Sequence, residues 1–239
     1  TIHLMYSLNP TDQFRLSYTR RVDRPNNRQI NPFTDYSDSL NIFSGNPNLD
    51  PQYINSYEAG FSGMLGTTMI NSVFFLRHTK NQISTITTLE AGGVTKSTYK
   101  NLNEQMNYGT ELSANISLLK WIRFNASFSY LITELEDNGN FGINTKKDSW
   151  STRLNSTFML PEDFQIQVFF NYNSPSISSS PSHYGGGAVN AQTRSKEMYF
   201  ADLALKKDLF DKKISILFRI TDVFNTRKDI TIFEQPTYI

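Results

Sequence analysis

The chain has 239 residues, with 23 basic and 22 acidic side chains and no cysteine, so its formal charge is +1. The lack of cysteine excludes a disulfide framework and a cysteine zinc site. The near-neutral charge argues against a nucleic-acid partner, which normally requires a basic excess. Aromatic residues reach 13%, whereas all hydrophobic residues together reach only 38%, below the roughly 45–50% of ordinary domains.

Apolar and polar residues alternate with a period of two in several stretches of the sequence. The pattern is weak at 14–19 and 57–62 and clear at 111–118, 122–133, 164–173 and 214–221. Such alternation indicates β-strands with one apolar and one polar face, and we count about ten of them. The longest unbroken apolar run, 73–76, is far shorter than the roughly 18 residues of a membrane-spanning helix.

The connections between the predicted strands alternate in length. Short joins are expected at 9–12, 65–66, 120, 161–163 and 210–212, and long ones at 24–53, 89–101, 136–146 and 174–195. Short turns on one rim and long extracellular loops on the other are typical of a barrel in the bacterial outer membrane. The fold class predicted from this layout is all-β, an antiparallel transmembrane β-barrel.

Tyrosine and tryptophan residues lie near the ends of the predicted strands. Their rings favour the headgroup level of a bilayer, because one edge is apolar and the other can form hydrogen bonds. We expect them to form belts at the membrane surfaces: Tyr18, Tyr57, Tyr108, Trp121, Tyr130, Trp150, Tyr172 and Tyr199. The strands of a soluble β-sandwich that binds glycans would also alternate apolar and polar residues, but the apolar face of each sheet would pack on a second sheet.

Several segments resemble the barrel of TonB-dependent outer-membrane receptors of the Bacteroidetes type. They are RRVDRP at 20–25, INPF at 30–33, GNPNLDP at 45–51, SYEAGF at 56–61, NYGTEL at 107–112, RLN at 153–155 and DVFNT at 222–226. The resemblance covers essentially the whole chain, although Gln52 stands where the family often has glutamate. It implies a barrel of about 22 strands, of which residues 1–239 would form less than half. We expect the plug domain, the TonB box and the final strand to be missing from these residues.

The resemblance also implies a function and partners. The intact protein would be a receptor that takes up a scarce glycan, peptide, siderophore or cobalamin, using energy that the TonB complex delivers through the plug. Its other expected partners are outer-membrane lipid and a surface lipoprotein. A passive porin-like channel shares this fold and stays an alternative.

Nothing in the sequence indicates catalysis, a cofactor or a metal site. His3, His78 and His183 lie far apart, without a second candidate ligand at metal-binding spacing. Neighbouring carboxylates such as Glu134 and Glu136 lie in one turn or loop, whereas glycoside hydrolysis requires carboxyl groups on both sides of a bond. We expect a protein that is not an enzyme.

Two groups of residues are candidates for contact with a ligand. In the long loops, amide and aromatic groups suit sugars or peptides: Asn26, Asn27, Tyr36, Phe43, Asn46, Tyr184 and Asn190. On the polar side of the strands, charged residues are expected to face the lumen: Arg15, Glu58, Glu111, Arg123, Arg153, Asp202, Lys206 and Arg219. The second group would either contact the plug and line the ligand's route, or bond across strands and stiffen the barrel.

Overall fold

The computed structural model describes residues 1–90, 92–101, 104–136, 145–178 and 192–234. In these ranges the chain forms strands and one short helix. They are β1 (Ile2–Ser7), β2 (Gln13–Asp23), α1 (Asn27–Ile30), β3 (Asn41–Phe43), β4 (Gln52–Leu65), β5 (Thr68–Lys80), β6 (Ile83–Leu89), β7 (Thr95–Asn101), β8 (Glu104–Leu119), β9 (Ile122–Glu136), β10 (Thr145–Leu160), β11 (Phe164–Asn173), β12 (Ser176–Ser178), β13 (Gln192–Ser195), β14 (Met198–Leu209), β15 (Ile214–Ile220) and β16 (Thr231–Glu234). No helix in the described ranges is long and apolar enough to cross a membrane.

The main feature of the fold is one ten-stranded sheet, in the order β1-β2-β4-β5-β8-β9-β10-β11-β14-β15. All neighbouring strands in it are antiparallel. The order of the strands in this sheet is their order along the chain, with the strands of two smaller sheets inserted in the connections, so the sheet is an up-and-down meander. The predicted strand number, the antiparallel arrangement and the all-β class are confirmed.

The connections of this sheet alternate between its two rims. Residues 8–12, 66–67, 120–121, 161–163 and 210–213 form short joins on one rim, and the long connections lie on the other. The predicted alternation is therefore correct. We call these the short-turn rim and the long-loop rim; in outer-membrane barrels they face the periplasm and the cell exterior respectively.

Parts of the long connections form two small sheets of their own. One is β3-β7-β6, in which β3 from the first long connection pairs in parallel with β7 from the second. The other is β12-β13-β16. The long connection predicted at 89–101 contains β7, which forms a hairpin with β6, and the sequence pattern did not indicate these two strands. Both strands are rich in threonine and serine, so they lack the apolar alternation from which a strand is predicted.

One face of the ten-stranded sheet is apolar and uncovered, and we call it the apolar face. Leu4, Leu16, Ala59 and Phe74 are successive cross-strand partners on it, and the three larger side chains are 54–62% exposed. Among the described residues, Phe200 is the only buried apolar side chain, at 9% exposure. The soluble β-sandwich is therefore wrong, because no second sheet covers this face within the described ranges. Contact with hydrocarbon removes the apolar side chains from water.

Aromatic rings line the apolar face in the half nearer the long-loop rim. The register assigns seven of the predicted rings to this face: Tyr18, Tyr57, Tyr108, Tyr130, Trp150, Tyr172 and Tyr199. Tyr18 and Tyr57 have ring centroids 4.9 Å apart, and Trp150 stacks on Tyr172 at 4.3 Å. Trp121 lies in the short-turn rim. Rings at these levels match the aromatic belts of membrane proteins.

We predict that Gly109 in β8 is required for the close approach of β8 and β9. A Cβ atom there would lie 1.9 Å from the carbonyl oxygen of Tyr130, whereas at Gly60 in β4 the nearest atom would be 3.5 Å away. In the full-length protein, Gly109→Ala should lower the free energy of unfolding by about 1–3 kcal/mol, the usual cost of overpacking. Guanidinium unfolding from lipid vesicles measures it. Gly60→Ala is the matched control, and equal stability of the two variants would contradict the prediction.

Candidate ligand-binding site: the polar face and the long-loop rim

The eight charged residues predicted to face the lumen share one face of the ten-stranded sheet. Ser17, two residues from Arg15, pairs with Glu58, so Arg15 and Glu58 point the same way. The cross-strand pairs of the remaining strands place six more charged residues on the same face: Glu111, Arg123, Arg153, Asp202, Lys206 and Arg219. This polar face lies opposite the apolar face. The grouping follows from the alternation because cross-strand partners in a sheet always share a face.

Some of these charges bond to neighbouring strands or to their own strand. Arg219 Nη2 donates to Asp202 Oδ2 at 2.9 Å, and Lys206 Nζ donates to Asp208 Oδ2 at 2.9 Å. The Arg153 Nε atom donates to Asn171 Oδ1 at 3.3 Å, and Glu58 accepts a 3.3 Å hydrogen bond from Ser17. These contacts support a structural role for the residues that make them.

Three of the eight charged residues form no such contacts. The side chains of Arg15, Glu111 and Arg123 are exposed, and none has an ion pair or a hydrogen bond with another described residue. Charged groups that project from a strand without a partner are the ones available to a ligand or to another part of the protein. The polar face therefore contains both bonded charges and available ones.

Asp202 anchors the turn that follows β15. The residue is 7% exposed, and its carboxylate accepts hydrogen bonds from the Arg219 guanidinium and from the main-chain amide of Asp222, each at 2.9 Å. The Asp222 carboxylate in turn accepts from the amides of Thr226 and Arg227 at 2.9 and 3.0 Å. A buried carboxylate requires such charged and main-chain partners. The DVFNT segment at 222–226 thus has a structural reason for its aspartate.

A cavity of about 190 Å³ lies on the polar face beside this anchor. The Asp202–Arg219 pair, the amide side chains of Asn155 and Gln167, and the Phe169 ring line it. Phe169 is an aromatic residue on the polar face, which the alternation alone had not singled out. Amide, ionic and aromatic groups together suit a polar group of a ligand or of a polypeptide segment.

The first long connection is a folded unit. Asn26 caps α1: its side chain accepts from the Gln29 amide at 3.0 Å, while the Gln29 side chain accepts from the Asn26 amide at 2.8 Å. This reciprocal pair is a capping box. Phe43 in β3 packs edge-on against Tyr99 in β7, with ring centroids 5.3 Å apart. The contact joins the first long connection to the second.

The GNPNLDP segment at 45–51 packs against α1 and β7. A Cβ atom on Gly45 would lie 2.5–2.7 Å from three main-chain carbonyl oxygens within 28–31, so only glycine fits. Asn46 donates its side-chain amide to the main-chain oxygen of Tyr99 at 3.0 Å. Asp50 donates its main-chain amide to Asn101 Oδ1 at 2.8 Å and accepts from the Asn101 side-chain amide at the same distance. The segment fastens the two long connections together.

The predicted ligand-contacting residues of the loops therefore separate into two groups. Asn26, Phe43 and Asn46 already make structural contacts, whereas Asn27 and Tyr36 are exposed, Tyr36 at 70%. Tyr184 and Asn190 lie outside the described residues.

Sequence reasoning missed two exposed apolar residues on either side of Tyr36. Phe33 is 82% exposed and Leu40 is 59% exposed. A signal for both residues is present in the sequence: they are large apolar side chains in a connection that is rich in asparagine and aspartate and has no strand alternation. With Tyr36 they give this connection a contact surface.

Two aspartates order the connection close to Tyr36. The hydroxyl and the amide of Ser37 hold the pKa of Asp35 below its usual value. The side-chain amide of Asn41 and the main-chain amide of Leu40 lower the pKa of Asp38 in the same way. Both carboxylates are ionised at neutral pH, because hydrogen bonds to a carboxylate favour its charged form.

Comparisons with solved structures agree with the fold. The siderophore receptor PirA from Pseudomonas aeruginosa has a TM-score of 0.67 and 14% identity over 94% of this chain and 38% of its own. The FrpB iron transporter from Neisseria meningitidis has a TM-score of 0.64 and 14% identity over 98% of this chain and 36% of its own. The copper transporter OprC has a TM-score of 0.69 and 10% identity, covering 95% and 33% respectively.

The fold, with one exposed apolar face and alternating short and long connections, is that of an antiparallel outer-membrane barrel sheet. The model of the outer membrane protein beta-barrel family matches residues 1–239, and the chain belongs to this family. The predicted location in the bacterial outer membrane is thereby confirmed. No curated protein matches the sequence. The chain spans only 33–38% of the three solved chains named above.

Proposed function

We propose that this chain is part of a TonB-dependent receptor of the Bacteroidetes type that takes up a scarce nutrient across the outer membrane. The observation that carries the proposal is the ten-stranded sheet, whose exposed apolar face and charged polar face would separate lipid from a transport route. The match of the family model to all 239 residues supports it. So do the barrels of a siderophore receptor, an iron transporter and a copper transporter, which have the same fold.

In this proposal the polar face is the inner wall of a larger barrel of about 22 strands. The apolar face contacts lipid, so the opposite face is directed inward. Arg15, Glu111 and Arg123 would then contact a plug domain or line the route of the ligand. The plug, its TonB box and the final strand would belong to other parts of the protein, consistent with the limited share of the solved receptors that the chain spans.

Ligand capture is assigned to the long-loop rim. Asn27 and Tyr36 are exposed there on a connection that the small β3-β7-β6 sheet supports, and Tyr184 and Asn190 stay candidates from the sequence. A ring and an amide on an ordered loop suit a glycan or a peptide. Siderophores and cobalamin complete the proposed range of ligands, and a surface lipoprotein is the proposed partner at this rim.

The proposed role is transport without catalysis. Within the described residues, no group of three or more histidine, cysteine, aspartate or glutamate side chains could hold a metal ion. The buried carboxylate of Asp202 is bonded to Arg219 and to a main-chain amide, so a structural contact accounts for it.

Uptake by the full-length receptor is predicted to require the proton-motive force. Cells expressing it would be offered labelled cobalamin, ferric enterobactin, maltoheptaose and a tripeptide, with and without a protonophore. We expect uptake of at least one compound above that of cells lacking the receptor, and we expect the protonophore or loss of TonB to abolish it. Receptor-dependent uptake that survives both treatments would support the porin-like alternative and contradict the proposal.

Tyr36→Ala is predicted to weaken binding of the transported compound about tenfold. An exposed ring that is covered by a ligand contributes on the order of 1–2 kcal/mol, and its removal disturbs no internal contact. Equilibrium binding to the purified full-length receptor measures the effect. Phe210→Ala is the matched control, because Phe210 is 71% exposed on the opposite, short-turn rim. Unchanged affinity of the Tyr36 variant would rule out this contact.

A further inference from the structure

The apolar face contains a groove of about 450 Å³ where β1, β2, β4 and β5 lie side by side. Eight of its eleven lining residues have register positions on the apolar face, and the other three alternate with them on the same strands. The groove centres on Ala59, whose direct cross-strand partners are Leu16 and Phe74. A small side chain between two large ones leaves a depression in a surface that contacts lipid.

Aromatic rings and then cations follow the groove toward the long-loop rim. The row next to Ala59 contains Tyr18 and Tyr57, both of which line the groove. Two residues further along the strands, Arg20 lies opposite Asn55 on the same face. Because a strand rises about 3.4 Å per residue, this row lies about 7 Å beyond the tyrosines. This distance is similar to the distance between the headgroup of a lipid and the first carbons of its acyl chain.

Arg20 is available for an anionic group. Its side chain is exposed, its guanidinium lies 5.4 Å from the centroid of the Tyr53 ring, and it forms no ion pair with a carboxylate of the described residues. The register places this guanidinium on the apolar face, at the end nearer the cell exterior.

The neighbouring strand supplies further positive charge. Lys80 lies opposite Tyr53, one row beyond Arg20, and its Nζ atom is 3.3 Å from Glu104 Oε1. His78 shares the same carboxylate, with Nε2 2.6 Å from Glu104 Oε2. The cluster therefore contains two permanent cations, one histidine and one carboxylate, and its net charge is at least +1. A positive cluster at the edge of an apolar surface attracts anionic headgroups.

We propose that this groove and its cations bind one phosphate-bearing lipid of the outer leaflet. The acyl chain lies against Ala59 between Leu16 and Phe74, and the phosphate lies at Arg20 and Lys80. Lipid is the expected occupant because the chain belongs to an outer-membrane barrel family, whose apolar face contacts hydrocarbon. The inference does not depend on which nutrient the receptor transports.

The test uses the purified, delipidated full-length receptor and native mass spectrometry. Two probes with identical acyl chains are added in turn: dioleoyl phosphatidic acid, which carries the phosphate, and dioleoylglycerol, which lacks it. The variants are Arg20→Gln, which removes a headgroup cation, and Ala59→Trp, which fills the groove. The matched controls are Arg21→Gln on the opposite face of β2 and Ala126→Trp on the apolar face of β9, outside the groove.

The wild-type protein is expected to retain phosphatidic acid with at least fivefold higher affinity than dioleoylglycerol. Arg20→Gln should lower the phosphatidic acid affinity about fivefold, the effect of one cation near a membrane surface, and leave dioleoylglycerol unaffected. Ala59→Trp should weaken both lipids, and the controls neither. Equal affinity of the wild type for the two lipids would overturn the proposal. An unchanged affinity of the Arg20→Gln variant for phosphatidic acid would also overturn it. Because Arg20 is on the surface, this variant tests the proposal even if Ala59→Trp does not fold.

Discussion

Each strand of the ten-stranded sheet has to present one face to lipid and the other to a polar environment, and the residue pattern of the sheet follows from this requirement. Successive side chains of a strand point to opposite faces, so a strand between lipid and a polar interior has to alternate residue by residue. The apolar face accordingly presents Leu4, Leu16 and Phe74 with more than half of each side chain exposed. The same alternation explains why the chain is rich in rings and poor in other apolar residues: its apolar side chains are needed on only one side.

The polar face uses its residues in two ways. Asp202 and Arg219 bond across strands and hold the turn after β15, whereas Arg15 and Glu111 project without partners among the described residues. In the proposed receptor, the first group keeps the wall rigid and the second is available to the plug or the ligand. Long antiparallel pairings, such as that between β9 and β10, keep both groups of residues in fixed positions.

The transmembrane part of the fold could be predicted from the sequence, because apolar and polar residues alternate there with a period of two. This alternation indicates the strands, the turns between them and the face on which each charged residue lies. Arg123 and Arg153, for example, share one face of the sheet for this reason. The long-loop rim could not be predicted as well. Strands β6 and β7 are rich in threonine and serine and lack a clear period of two. In addition, β3 pairs with β7 from a distant part of the chain, which no local pattern encodes. The hydrogen bond that the predicted ligand-binding residue Asn46 donates to Tyr99 is likewise a tertiary contact that no local pattern indicates.

Alternate residues of each strand are expected to face lipid and a polar interior, and cysteine labelling tests this arrangement. Residues 1–239 contain no cysteine, so single cysteines can be introduced one at a time in β9 of the full-length protein, in outer-membrane vesicles. We predict that cysteine substitutions of Asn125, Ser127 and Ser129 react with a water-soluble maleimide, whereas those of Phe124, Ala126 and Phe128 are protected. Equal labelling of the two sets would contradict the account.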